Sequence, residues 1–455
     1  MSMEPSWIVP CDSGWSMEEA AAAWSSEDRI SFQTSLPSHS DSVQLQMVEY
    51  ASPSLAPATH DNDSSYPIQV FEEAVEPFRA DYSDSMEWKM HKVPPSLIDV
   101  FPRYKEPLTV AIGPYHHGAH PGLLEAERMK HVAATQCMRE STRSLQEMYN
   151  AVFFVLPDAR NLYHQDNPAK FRDDNFLPMM FLDACFLVQY MRWYYVNDDD
   201  MDEALNNYFF ANYEHICTDI MKLENQIPWV VVQAIFHFMP AAPASPWPWE
   251  DFVIAMRRGL KNQTDDRKSK EDGIVVVPEY KPPHLLGLVW FYVVGKDEKD
   301  ELPLGNRPIS LSMSVAELDA VGITFKPEAE TEEGLVDMGL HSKPPFFGVL
   351  SVPPLCLTDR NATWLVNMAA FELCRASDFD DIADKNSDVC SYLQLFVMLL
   401  DQERHVHDLR AKGVIQGGGL TSKETLEFFT LIGKNMRYEE VIWAQVVPLH
   451  YQALD

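Results

Sequence analysis

Three histidines crowd the run Val110-Ala111-Ile112-Gly113-Pro114-Tyr115-His116-His117-Gly118-Ala119-His120. Glu127 and His131 follow four residues apart, a spacing that places both on one face of a helix. Imidazoles beside a carboxylate can hold zinc or shuttle protons near neutral pH. His116, His117, His120, Glu127 and His131 are therefore the candidate metal or catalytic set. A structural reading competes with it, because polar rings in a loop also cap helices and bond backbone carbonyls. Adjacent side chains such as His116 and His117 diverge in most conformations. The structural reading is favoured, so no catalytic residue, metal or cofactor is assigned.

Two further blocks carry polar residues inside apolar surroundings. In Phe181-Leu182-Asp183-Ala184-Cys185-Phe186 a single carboxylate, Asp183, interrupts an apolar stretch. A buried carboxylate needs a partner, here expected to be an arginine or a histidine from elsewhere. In Leu223-Glu224-Asn225-Gln226-Ile227-Pro228-Trp229, three polar residues precede a proline suited to a helix start. Glu224, Asn225 or Gln226 can satisfy the free N–H groups of that helix. Asp401, Glu403, His405, His407 and Asp408 read as a solvated helical face. The loop, the Asp183 helix and the Glu224–Pro228 junction are expected to pack together.

Standard catalytic signatures are missing. No GxSxG elbow, Walker loop, GxGxxG or HExxH occurs. This favours a non-enzymatic protein over the commonest hydrolase, kinase and dehydrogenase classes.

The elements that must position these residues are mostly helical. Leu108–Ile112 reads as a strand ended by Gly113-Pro114, and 123–154 as one helix by its period. Further helices are expected over 178–193, 208–226 and 229–238. A proline-rich linker spans 239–248, a charged loop 257–272 and a short apolar run 274–277. Residues 284–294 form a buried helix or strand. Ser314 and Glu317 make a capping box for a helix that Gly322 ends. Strands are expected at 323–325, 347–352 and 355–357, then helices over 363–376, 389–411 and 425–435. The fold class is predominantly α (α+β), a large helical domain with a few short strands.

Bulk properties narrow the role. The chain has 455 residues, with 46% hydrophobic and 23% charged, as in globular proteins. Net charge is -32, which repels nucleic-acid backbones and anionic membranes. The 7 cysteines form no CxxC pair and fit a reducing compartment. No secretory leader is visible, and the cytoplasm is the expected location. The sequons at Asn62, Asn262 and Asn361 therefore read as chance matches. Residues 1–90 hold 16 acidic residues against 3 basic ones, so 1–88 reads as a disordered acidic tail. Within it, Ser16–Trp24 could form a short, partner-binding helix.

The ordered blocks resemble a known family. They run from the Gly113-Pro114-Tyr115-His116-His117-Gly118 loop, through Glu127 with Lys130 and Arg160–Tyr163, to the Asp183 and Glu224–Pro228 blocks. His284-Leu285-Leu286, Ser314–Lys326 and Phe346–Leu357 complete the series. This is similar to the plant domain-of-unknown-function 247 family, also called uncharacterised protein family 0481. The resemblance covers 90–447 and implies a mainly helical plant protein with no established reaction. Some family members occur at grass self-incompatibility loci, which implies recognition of an unknown protein partner. Members usually end in a membrane-spanning helix, whereas Trp443–Leu454 is too short and polar to span. The expected organisation is a tail over 1–88, a domain over 89–447, with two lobes divided near 239–273, and a C-terminal tail over 448–455. The alternative function is a metal-assisted enzyme using the histidine loop 116–120.

Overall fold

Helices dominate because the apolar residues recur at helical spacing and the breaks fall at capping or glycine signals. The computed structural model describes residues 89–94, 97, 102–141, 143–163, 172–195, 201–240, 249–260, 280–294, 314–320, 322–327, 339–343, 347–375 and 388–435. The acidic tail with its Ser16–Trp24 helix, the 274–277 run, the C-terminal tail, Asn62 and Asn262 lie outside those residues. So do most of the linker, the charged loop and the expected lobe boundary. All described residues belong to one compact unit, Pro67–Asp455.

Thirteen helices and five short strands are described. In chain order the first helices are α1 Pro102–Lys105, α2 Leu124–Glu140, α3 Leu145–Asn161, α4 Asp173–Tyr195 and α5 Glu203–Asp219. Then come α6 Trp229–Phe236, α7 Glu250–Leu260, α8 Leu285–Val294 and α9 Val315–Ala320. The strands are β1 Ile323–Pro327, β2 Gly339–Lys343, β3 Phe347–Val352, β4 Leu355–Cys356 and β5 Ile415–Gln416. The last helices are α10 Asp359–Arg375, α11 Asp388–Leu399, α12 Glu403–Ala411 and α13 Ser422–Asn435.

Helix α4 is the axis of the N-terminal helices. It is buried almost continuously from Phe176 to Met191 and packs against α2, α3, α5, α6 and α7. Such all-round burial explains why its sequence is apolar on every face. The hydrophobic core runs without a break from Met90 to Ile432. β3 is central in a three-stranded sheet, parallel to β1 and antiparallel to β2, while β4 and β5 form a separate parallel pair.

Several elements differ from the sequence expectation. The single helix over 123–154 is two, because Ser144 caps α3 with Glu147 in a reciprocal capping box. The helix over 389–411 is also two, α11 and α12, separated at Leu400–Gln402. Helix α5 stops at Asp219, and turns carry the chain to Pro228. The buried run expected as helix or strand at 284–294 is a helix over Leu285–Val294. Of the expected capping box at α9, the Glu317 half forms: its carboxylate accepts the Ser314 N–H at 2.7 Å and the Ser314 hydroxyl at 3.1 Å. Among the described residues, no helix is long and apolar enough to cross a membrane.

Candidate functional site

The run Leu108–Ile112 is not a strand. Its N–H groups bond side chains instead of a neighbouring chain. Asp219 Oδ2 accepts the N–H groups of Leu108, Thr109 and Val110 at 3.0, 2.6 and 3.1 Å. Asn225 Oδ1 accepts the Ile112 N–H at 2.7 Å, and Asn225 Nδ2 donates to the carbonyls of Val110 and Asp219, each at 3.0 Å. Two side chains thus do the work of a missing partner strand, which buried backbone requires.

The next residue turns the chain. Gly113 has φ +79°, and its N–H donates to Asp183 Oδ2 at 2.7 Å. The other Asp183 oxygen pairs with Lys130 Nζ at 2.6 Å. Lys130 also donates to the Ala111 carbonyl at 2.7 Å and to Glu127 at 2.6 Å. The expected partner of Asp183 was an arginine or a histidine, and the structure supplies a lysine. Lys130 lies on the buried face of α2 with Ala126, Ala133 and Cys137. A lysine in register with apolar residues was the signal that sequence reading passed over. Burial pushes the Lys130 ammonium down, but Asp183 and Glu127 more than reverse this and hold it above its ordinary value. Burial raises the Asp183 carboxyl against the pull of Lys130.

The Glu224–Pro228 junction completes the cluster. Gln226 Nε2 donates to the carbonyls of Ile220 and Lys222 at 2.7 and 2.9 Å, and its Oε1 accepts the Leu286 N–H at 3.1 Å. Gln226 therefore caps α8. Pro228 is the N-cap residue of α6, and the polar residues before it reach other segments. The Gln226 carbonyl accepts the Tyr163 hydroxyl at 2.9 Å. Glu224 accepts the Val93 N–H at 2.9 Å and faces Lys105 at 3.3 Å and His116 at 3.4 Å. Burial pushes the Glu224 carboxyl up, but His116, Val93 and Lys105 bring it below its ordinary value.

The histidines go separate ways. His116 faces Glu224, whereas His117 Nδ1 stands 3.9 Å from Glu127. His120 Nδ1 accepts the Gly122 N–H at 3.1 Å and caps the 3-10 turn Pro121–Leu123. His131 follows Glu127 on an exposed part of α2. Pro114 is buried in the turn and Gly118, with φ +69°, faces solvent. Tyr115 donates its hydroxyl to the Met90 carbonyl at 2.7 Å. Among the described residues, no group of three or more His, Cys, Asp or Glu is placed to hold a metal ion.

Other sequence candidates stay local. Asp401 pairs with the buried His405, while Glu403, His407 and Asp408 are exposed on α12. Asn361 is fully buried and donates to the carbonyls of Gly259 and Cys356 at 3.0 and 2.8 Å, so its sequon is closed to glycosylation. Asp219, Lys222 and Asn367 were missed as site residues. Asp219 and Lys222 pair at 2.8 Å. Asn367 joins the Leu223 N–H to the Tyr104 and Thr363 carbonyls at 2.8, 2.9 and 2.8 Å.

The loop, the Asp183 helix and the Glu224–Pro228 junction therefore form one polar centre inside the core. The profile of a family described as plant protein of unknown function matches residues 90–448. A UPF0481 protein of Arabidopsis thaliana is 22% identical over 372 residues, covering 76% of this chain and 73% of its own. A putative UPF0481 protein of the same plant is 26% identical over 221 residues, covering 46% of this chain and 38% of its own. No solved structure matches. The blocks that meet in this polar centre all fall within the matched span, and the chain belongs to the plant proteins of unknown function grouped as domain of unknown function 247.

Proposed function

We propose that this protein is a non-enzymatic recognition or scaffold protein acting on a protein partner in the cytoplasm. Its working part is a helical domain over 89–447 that carries an acidic tail over 1–88 and a short tail over 448–455. One observation carries the reading: the polar side chains of the signature blocks are engaged inside the protein. Asp183, Asp219, Glu224, Asn225 and Gln226 all accept backbone N–H groups from other segments. A side chain spent in this way orders the fold and is withheld from a substrate.

The outer surface offers the complementary feature. Phe153 and Phe154 are neighbours on α3, exposed by 51% and 79%. Aromatic residues in such positions are favoured anchors of protein interfaces. The occurrence of family members at grass self-incompatibility loci agrees with recognition.

The metal-assisted alternative needs imidazoles that converge. His116, His117 and His120 are turned to three different partners, which favours the first reading.

The test is a pull-down from plant tissue with the full chain and with Phe154→Glu. A specific partner that the variant loses supports the proposal. Recovery of nothing above background counts against it. Stoichiometric zinc, manganese or iron in gently purified protein, lost in His117→Ala, would replace it with the metal-assisted reading.

A further inference from the structure

We propose that Met90–Val93 forms an acid-released latch across the polar centre, switched by the buried pair His91 and His284 beside Arg375. The latch is a short segment bonded to distant parts of the chain. Met90 donates its N–H to the Leu162 carbonyl at 2.8 Å and accepts the Tyr115 hydroxyl at 2.7 Å. Val93 donates to Glu224 at 2.9 Å, and the Cys374 thiol stands 3.5 Å from the Lys92 carbonyl. Met90, His91 and Val93 are buried beneath these bonds.

The switch surrounds one phenyl ring. The His284 ring meets Phe371 at 4.9 Å between centroids, and the His91 ring at 6.4 Å. The Arg375 guanidinium lies 5.1 Å from the same ring and 4.9 Å from Trp290. His284 Nδ1 accepts the Gly287 N–H at 3.0 Å, so the neutral ring carries its proton on Nε2. That Nε2 is buried and has no hydrogen-bond partner. A second proton on His284 would therefore displace the Gly287 N–H from Nδ1 and place a cation beside His91 and Arg375.

His284 is faced by His91 from the latch and by Arg375 from α10. Glu372, also on α10, is turned to Trp290 and to the start of α11. Glu224 faces the other end of the latch, with Lys105 and His116. Burial, then His91 and Arg375, hold the His284 imidazole well below its ordinary 6.5. The unfolded or opened chain binds the proton more readily, so stability is lost as pH falls below that value. Helices α8 and α10 are buried along most of their length, and in the proposed switch the short latch opens without them. Its release uncovers Tyr115, Glu224 and Tyr163.

Amide hydrogen exchange of the full chain, corrected for intrinsic rates, tests this between about pH 7.5 and about pH 5.5, across the ordinary histidine range. The Met90 and Val93 amides should lose protection by up to about tenfold per pH unit below the histidine range, while α4 amides keep theirs. His284→Asn retains an acceptor for Gly287 but does not titrate, and its latch should respond little to pH. His91→Asn repeats the test from the other ring. Parallel loss in latch and α4, unchanged latch protection in acid, or variants that respond like the natural chain would overturn the proposal.

Discussion

Asp183 and Lys130 meet at 2.6 Å with both side chains only 1% exposed. Each also bonds the backbone of the histidine loop, Asp183 through Gly113 and Lys130 through Ala111. The pair is thus a strut between α2, α4 and the loop, and its removal must be read against both roles.

Asp183→Ala leaves a buried ammonium short of its main counter-charge. Breaking a buried pair from one side costs about 3–5 kcal/mol. Urea unfolding should show a loss of about 3 kcal/mol or more, with a lower midpoint. Asp183→Leu combined with Lys130→Met removes both charges and should recover part of that loss. No recovery would assign the cost to the Gly113 and Ala111 bonds.

Gly113→Ala and Gly118→Ala separate strain from collision. Both positions have positive φ, +79° and +69°. A Cβ at Gly113 would collide with the Gln226 carbonyl, while at Gly118 nothing lies within 4 Å. Gly118→Ala should cost only the left-handed backbone penalty, about 1 kcal/mol. Gly113→Ala should cost about 3 kcal/mol or more, because backbone must also move. Similar thermal shifts for the two would refute the close approach of loop and junction.

Asn225→Ala strands three buried backbone groups, the Ile112 N–H and the carbonyls of Val110 and Asp219. Each unsatisfied group costs about 1–3 kcal/mol, and a total near 3 kcal/mol is expected because water can enter the space left. Exchange at the Ile112 amide should rise more than exchange in α13. A uniform rise across the domain would contradict a local role.

Glu372 gives a pH test away from the histidines. It is buried on α10 and accepts Trp290 Nε1 at 2.7 Å and the Val389 and Cys390 N–H groups at 2.8 Å each. Burial raises its carboxyl from 4.5 to about 7, against these three donors. The native state then binds more protons than the unfolded chain between those values. Stability contributed by this group therefore falls as pH rises through that window, by roughly 2–3 kcal/mol from about pH 5 to about pH 8. Glu372→Gln should flatten that part of the profile in chemical unfolding. An unchanged profile would place the carboxyl in its ordinary range.

The secondary structure was largely legible, and its exceptions have separate causes. Ser314, Glu317 and Gly322 mark α9 correctly because a capping signal is local. The expected strand at Leu108–Ile112 failed because its bonding partners are Asp219 and Asn225, over a hundred residues away. The over-long helix at 123–154 failed because apolar spacing continues across Ser144, whose capping box with Glu147 starts a new helix. The histidine loop was visible as a block, but its rings diverge through contacts with Glu224, Glu127 and Pro107.

By itself the sequence determined the helical class, the family and the blocks that matter. Those rest on periodicity, capping and residue order, which act within a few positions of each other. Tertiary structure alone decided that Lys130 answers Asp183, that Gln226 caps α8, and that Asn225 replaces a strand for Ile112. The physical reason is burial: an enclosed polar group must find a partner, and which one it finds depends on elements packed together from far along the chain.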